Sequence, residues 1–137
     1  MNEKILEKAN QIIKKADNAS FGVIDDNGYP SVSAVSLCYP ENITEIYFTT
    51  NIGANKEKRL RQNNKASICY FTTTNNITLV GEAEVLTDQE TKSKYWQNWF
   101  KEIYGEETAL DYCVIKFVTK RVSLFIDGEM AEFTLEK

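Results

Sequence analysis

The sequence predicts a mainly β fold, a β-barrel with flanking helices. About eight short segments are rich in β-branched and aromatic residues, as strands are. These segments follow one another without the regular strand and helix alternation of a parallel sheet, which favours a barrel over a doubly wound fold. A chain of this size buries roughly two-thirds of its surface on folding, so we expect a single domain over residues 1–137.

The first half of the chain is predicted to be one helix followed by a three-stranded antiparallel meander. Apolar residues from Ile5 to Ala16 recur on one helical face, Asn2 is placed to cap that helix, and Asn27-Gly28 is a turn sequence that tolerates positive φ. Residues 40–42 are predicted to be a loop before the third strand. In chain order, the elements are a helix over 2–17 and strands over 20–24, 30–39 and 45–50.

The second half is predicted to contain two helices and five strands. Thr87 and Glu90 match a capping box that opens the longer helix, and Gly105 ends it. The elements are a short helix over 54–63, strands over 66–73 and 77–86, a helix over 87–104, and strands over 112–118, 122–126 and 131–135.

The longer helix carries an aromatic face. We predict that this face is buried in the core, and the alternative is that some of its members line a substrate mouth. Its residues are Tyr95, Trp96, Trp99, Phe100 and Ile103.

Composition excludes several classes of function. The net charge of −4 argues against a general nucleic-acid binder, and the first residues contain no apolar run of signal-peptide length, so a cytoplasmic protein is expected. The sequence contains no histidine, which removes Ser-His-Asp and Cys-His catalysis and histidine-ligated haem. Cys38, Cys69 and Cys113 lie far apart without a CxxC pair, so we predict no metal site and interpret them as small buried residues.

One segment has the ingredients of a phosphate site. Thr49 and Thr50 close a strand, a turn follows, and a helix begins near Asn55 and Lys56. Hydroxyl donors, free backbone amides and an ammonium group would therefore converge. The alternative is that the basic residues only solvate an exposed helix. Those basic residues are Lys56, Lys58, Arg59, Arg61 and Lys65.

Three motifs together resemble a known family. They are Gly28-Tyr29-Pro30 before the second strand, Thr49-Thr50-Asn51 continuing through Lys56 and Leu60, and Val80-Gly81-Glu82-Ala83-Glu84. Their order and spacing are similar to those of the pyridoxamine 5'-phosphate oxidase-like family, and within it to the general stress protein branch.

The resemblance implies a split barrel that binds FMN between the two subunits of a homodimer. Thr49 and Thr50 would contact the phosphate and ribityl region, together with Asn51 and Asn55, and Lys56 would supply the main positive charge. Three residues of the second strand would lie along the flavin ring, and ordinary sheet packing is their alternative role. They are Ser33, Ala34 and Val35.

The chain departs from the family pattern at two places. Members often carry Arg where this chain has Ser33, and Ser-Arg where it has Ala54-Asn55. Two guanidinium contacts to the phosphate would thus be lost, which weakens FMN binding or requires Arg59 or Arg61 as substitutes.

The leading hypothesis is an FMN-dependent oxidoreductase of unknown small-molecule substrate. No side chain is assigned as a catalyst, because the flavin would carry the redox chemistry. The alternatives are a non-catalytic flavin-binding or stress-response protein, and a cofactor-free barrel for another anion. No nucleic acid or membrane partner is expected.

Overall fold

A computed structural model describes residues 3–36 and 39–135, so the predicted cap Asn2 and the thiol of Cys38 lie outside the described residues. The described elements are four α-helices, one 3-10 helix and eight strands. The helices are α1 Glu3–Lys15, α2 Asn55–Gln62, α3 Gln89–Lys94 and α4 Lys101–Tyr104, with the 3-10 helix Asn98–Phe100. The strands are β1 Asn18–Ile24, β2 Pro30–Ser36, β3 Tyr39–Asn42, β4 Glu45–Asn51, β5 Lys65–Phe71, β6 Asn76–Leu86, β7 Tyr112–Ile126 and β8 Glu129–Thr134.

All eight strands belong to one antiparallel sheet. The strand order is β2-β1-β5-β6-β7-β4-β3, and β8 pairs with β7 beside it. The sheet curls on itself: Phe21 of β1 and Phe48 of β4 are far apart in the strand order, yet their ring centroids are 4.7 Å apart. The predicted mainly β, split-barrel fold is therefore confirmed.

The core fills the inside of this curled sheet. Alternate residues of the strands point inward, and α1 adds Ile5, Ala9 and Ile13 from the apolar face that its periodicity predicts. Leu60 and the carboxylate-bearing Glu57 are the buried residues of α2. None of the helices in the described ranges has the length and apolar character needed to cross a membrane.

The predicted three-stranded meander is wrong. β1 and β2 do form the predicted hairpin, but β2 ends at Ser36, and the predicted loop 40–42 lies within β3, which pairs with β4. The other edge of β4 pairs with β7, where Ile46 faces Phe117 and both are buried. Burying β4 against β7, about seventy residues later in the chain, is more favourable than pairing it with the preceding strand β2. Because the two strands are distant in the sequence, a local residue pattern cannot predict that they pair.

The two predicted strands over 112–118 and 122–126 form one strand, β7, of 15 residues. Its register against β6 shifts between Val80 and Gly81, so a bulge in one continuous strand stands where a gap over 119–121 is predicted. At that bulge a Cβ on Gly81 would overlap the carbonyl oxygen of Val118. Glycine is therefore required there by the close approach of two backbones.

The predicted helix over 87–104 is broken into α3, the 3-10 helix and α4. Its cap is Asp88 rather than Thr87: the Asp88 carboxylate accepts hydrogen bonds from the Thr91 backbone N–H at 3.0 Å and from its hydroxyl at 2.7 Å. The break follows Tyr95, which stacks on Tyr47 with ring centroids 4.6 Å apart. A run of bulky aromatic residues has low helix propensity, so packing on the sheet prevails.

The predicted burial of the aromatic face is only partly correct. Tyr95 and Phe100 are buried and Trp96 is half-buried, whereas Trp99 and Ile103 are exposed because the helix does not continue through them.

Candidate functional site

The end of β4 directs its two threonine side chains to opposite faces of the sheet. The Tyr104 hydroxyl lies 3.4 Å from the Thr49 hydroxyl, on the face covered by the aromatic helices. Successive residues of a strand alternate, so the Thr50 side chain lies on the other face, the side of buried Phe48. Both threonines are half-buried. The two hydroxyls therefore do not converge as predicted, because they lie on opposite faces of the sheet. Only the backbone at the end of β4 is common to both faces.

The turn between β4 and α2 is held on both sides. Asn51 and Gly53 are exposed, and Gly53 has a φ of +93°, which favours glycine. The Ile52 backbone N–H donates to the carbonyl of Asp111 at 2.7 Å, which ties the turn to the start of β7. The Gly53 N–H donates to a carboxylate oxygen of Glu57 at 2.7 Å. The turn that leads into α2 therefore has a fixed position relative to the sheet.

Glu57 is a buried carboxylate inside a basic helix. Arg61, four residues later, forms an ion pair with it, and the Arg61 side chain is about half exposed. The Gly53 N–H and the Arg61 side chain lower the pKa of Glu57, against the opposing effect of burial. The negative charge of Glu57 is thus matched within α2 by Arg61.

Two other cations of α2 lie on one side of the helix. Lys56 and Arg59 are three residues apart, a spacing that places side chains next to each other, and both are half-buried. Asn55 and Lys58 are exposed. An Arg59 Nη1 atom donates to the Ser31 hydroxyl at 3.1 Å, and Ser31 belongs to β2. This contact connects the helix that follows β4 to the opposite end of the strand order.

The predicted ring-lining residues lie on that terminal strand. β1 is the strand that β2 pairs with in the described sheet, so the other backbone edge of β2 faces outward. Ser33 is exposed, and because it is two residues after Ser31 it shares the face that Arg59 approaches. Ala34 is exposed on the opposite face, and Val35 is buried in the core.

Ala34 borders a groove of about 760 Å³ between the end of α1 and strands β1 and β5. Ile12, Tyr70 and Phe71 also line it. A volume in this range is typical of sites for small organic molecules, which occupy roughly 300–1,000 Å³.

Two residues of this region were missed by the sequence analysis. Glu57 has a detectable signal, since an acid four residues before Arg61 predicts an ion pair on a helix. Tyr104 has none, because it lies 55 residues from Thr49 in the chain. Within the described ranges, no group of three or more Cys, Asp or Glu side chains is arranged to hold a metal ion.

Comparison with known proteins identifies the family. A family model described as pyridoxamine 5'-phosphate oxidase matches residues 5–125. The chain belongs to the pyridoxamine 5'-phosphate oxidase family. Members of this family commonly bind flavin. No curated protein matches the chain in sequence.

Solved structures share the fold at low sequence identity. A protein related to general stress protein 26, from Clostridium acetobutylicum, has a TM-score of 0.86 and 22% identity, over 98% of this chain and 97% of that one. General stress protein 26 from Bacillus anthracis has a TM-score of 0.81 and 17% identity, over 96% and 98%. A heme binding protein from Mycobacterium smegmatis has a TM-score of 0.74 and 18% identity, over 94% of this chain and 57% of that one.

The donor set at the end of β4 fits the phosphate of a flavin mononucleotide. It offers an ammonium from Lys56, a guanidinium from Arg59, and the hydroxyl of one threonine at a time, since Thr49 and Thr50 lie on opposite faces of the sheet. The nearby carboxylate of Glu57 is engaged by the Gly53 N–H and by Arg61, so its charge is offset before an anion arrives.

Proposed function

We propose that this member of the pyridoxamine 5'-phosphate oxidase family binds FMN. The phosphate would lie where β4 meets α2, and the ring would lie along the free edge of β2. The observation that supports this most is the hydrogen bond between Arg59 and Ser31, because it brings the helix and the strand together. The curl of the sheet brings β1 close to β4, and this hydrogen bond joins α2 to β2 itself.

The positive charges of Lys56 and Arg59 support binding of a phosphate where β4 meets α2. A phosphate monoester carries a charge of about −1.5 to −2 at neutral pH and has three acceptor oxygens. Lys56 and Arg59 together supply a matching positive charge, although the whole chain is acidic with a net charge of −4. The residue-level roles of Thr49, Thr50, Asn51 and the exposed Asn55 belong to this proposal.

The edge of β2 suits a flat heterocycle. An edge strand has backbone N–H and C=O groups without a strand partner, and a flavin ring carries matching donors and acceptors along one side. We assign this contact to those backbone groups of Ser33, Ala34 and Val35 that point away from β1, since the Val35 side chain itself is buried. Ser33 and Ala34 leave space there because their side chains are small.

When bound, FMN would supply hydride or electron transfer, so we propose an FMN-dependent oxidoreductase of unknown substrate. The chain would hold the phosphate, orient the ring and exclude water from one of its faces. No side chain of the chain is assigned a proton-transfer role. The alternative is a non-catalytic flavin-binding or stress-response protein, and it is favoured by the absence of Arg at Ser33 and Asn55, which reduces phosphate contacts.

Flavin is preferred to haem as the ligand. One structural neighbour is a heme binding protein, but this chain has no histidine, which is a common ligand of haem iron. Lys56 and Arg59 together match the double negative charge of a phosphate monoester, whereas each propionate of haem carries a single charge.

We further propose that two copies associate through the outer face of the sheet. Phe71, Phe125 and Met130 lie in one row across β5, β7 and β8, with Asn76 of β6 between the first two. Phe71 is 67% exposed, Phe125 is 42% exposed and Met130 is 77% exposed, which is unusual for large apolar residues on one face of a sheet. Phe71 also borders the groove next to Ala34, so a second copy on this face would cover the ring.

Titration of FMN fluorescence with the purified protein tests the cofactor. We expect saturable quenching by the wild-type protein and a loss of affinity of at least tenfold in Lys56→Glu, because a repulsive charge replaces an attractive one. Lys58→Glu makes the same charge change on the exposed side of α2 and should have a much smaller effect. Absence of quenching by folded wild-type protein would exclude FMN as the ligand.

Oxidation of NADH or NADPH by the FMN-loaded protein separates the two functional alternatives. Turnover well above that of free FMN supports the oxidoreductase. Tight binding without such turnover supports the flavin-binding protein.

A further inference from the structure

We infer that Arg59 is the residue that selects a phosphorylated flavin over the unphosphorylated one. The guanidinium would leave the Ser31 hydroxyl, or share it, and bind the phosphate from α2. This inference rests on the proposed FMN site, and it assigns to a helix the positive charge that β2 lacks at Ser33.

Arg59 is placed so that its guanidinium reaches β2. Its Nη1 atom lies 3.1 Å from the Ser31 hydroxyl, and Ser33 lies two residues along the same face of β2. A guanidinium group at this place therefore reaches the surface on which an arginine at position 33 would stand. A neutral hydroxyl is a weak partner for a guanidinium compared with a dianionic phosphate, so exchange of partners is favourable.

The pairing of the other cations is the second argument. Arg61 is bound to the buried carboxylate of Glu57, and its removal would leave that carboxylate without its cation. Lys58 is exposed. Lys56 and Arg59 are thus the half-buried cations of α2, and their spacing of three residues places them next to each other on the helix.

The chemistry of the two groups separates their roles. An ammonium is a compact point charge, whereas a guanidinium presents several N–H donors in a plane that match two oxygens of a phosphate. We therefore expect Lys56 to contribute attraction and Arg59 to contribute recognition of the phosphate oxygens.

The test compares FMN and riboflavin, which differ by the phosphate alone. Dissociation constants are measured by fluorescence quenching for wild-type protein, Arg59→Gln, Arg59→Lys and the control Lys58→Gln. Loss of a charge-assisted bond predicts an FMN affinity about tenfold to a hundredfold lower in Arg59→Gln. Riboflavin affinity should change less than about twofold, and Arg59→Lys should recover only part of the FMN affinity.

The outcomes distinguish this inference from the proposed function. If wild-type protein binds FMN and Arg59→Gln binds it equally well, Arg59 is not the selecting residue, although the FMN site stands. If Arg59→Gln lowers the affinity for FMN and riboflavin by the same factor, its role is structural and the inference fails. If wild-type protein binds neither flavin, both proposals fail together. Circular dichroism and a thermal melt establish that each variant is folded.

Discussion

The carboxylate of Glu57 accepts a 2.7 Å hydrogen bond from the backbone N–H of Gly53, which binds the first turn of α2 to the turn before it. The same carboxylate is paired with Arg61, so one buried side chain fixes both the approach to the helix and a cation on it. Lys56 and Arg59 are both half-buried on the same helix, and Arg59 also donates to the Ser31 hydroxyl.

Replacement of Glu57 by Gln should destabilise the fold by about 1–2 kcal/mol at pH 7, because a hydrogen bond to a charged acceptor becomes a neutral one. The Gly53 N–H and Arg61 lower the pKa of Glu57 in the folded state. The stabilisation is therefore complete above the unfolded pKa of about 4.3, and is lost as the pH falls through the lower folded pKa.

Urea unfolding of wild-type protein and Glu57→Gln at pH 7 and pH 3 measures this difference. The difference in free energy of unfolding between the two proteins should be smaller at pH 3 than at pH 7. Glu102→Gln, at an exposed position of α4, serves as the control and should match wild type at pH 7. An equal gap at both pH values would show that the charge of Glu57 does not contribute.

Gly81→Ala should destabilise the protein by about 1–3 kcal/mol, because the new methyl group would overlap the Val118 carbonyl oxygen and force the two strands apart. Thermal or urea unfolding measures the loss. Glu84→Ala, three residues later on the same strand and exposed, should stay within about 0.5 kcal/mol of wild type. Equal stability of Gly81→Ala and wild type would contradict the close approach at the bulge.

Cys113 should resist alkylation in the folded protein. Burial is the main cause that raises the pKa of its thiol to about 11, so almost no thiolate exists at pH 8, and the side chain is fully buried. Cys69 is half-buried and should react faster. Iodoacetamide labelling followed by peptide mass spectrometry should modify Cys113 only after unfolding. Modification of Cys113 as fast as Cys69 would contradict its burial.

Phe71→Glu combined with Met130→Glu should convert a dimer into a monomer, because two charges would enter the apolar row on the outer face of the sheet. Sedimentation velocity at micromolar concentration measures the change. Leu110→Glu alters a residue that is 93% exposed outside this row, and should remain dimeric. A monomeric wild-type protein, or a dimeric double variant, would contradict the proposed interface.

Local patterns in the sequence predict where the helices, strands and turns of this protein lie better than they predict which strands pair. The face of α1, the hairpin turn at Gly28 and the position of α2 follow from periodicity and turn chemistry, and the structure confirms them. The pairing of β3 with β4, and of β4 with β7, depends on burial between distant segments. The break after Tyr95 depends on stacking against Tyr47, which no local signal contains.

The candidate site shows the same division. The Thr-Thr-Asn strand end and Lys56 are visible as a motif because they are contiguous in the sequence. The link from Arg59 to Ser31 spans 28 residues, and the contact of Tyr104 with Thr49 spans 55, so both exist only in the folded chain. Strand alternation could have predicted that Thr49 and Thr50 point to opposite faces.

Retention of FMN by the purified protein is the direct test of the proposed phosphate site at the start of α2. The protein is incubated with excess FMN, passed through a desalting column, and its absorption spectrum is recorded. We predict that the eluted protein carries a flavin band corresponding to one FMN per chain, and that Lys56→Glu elutes without it. Folded wild-type protein that elutes colourless would contradict the proposed binding of FMN.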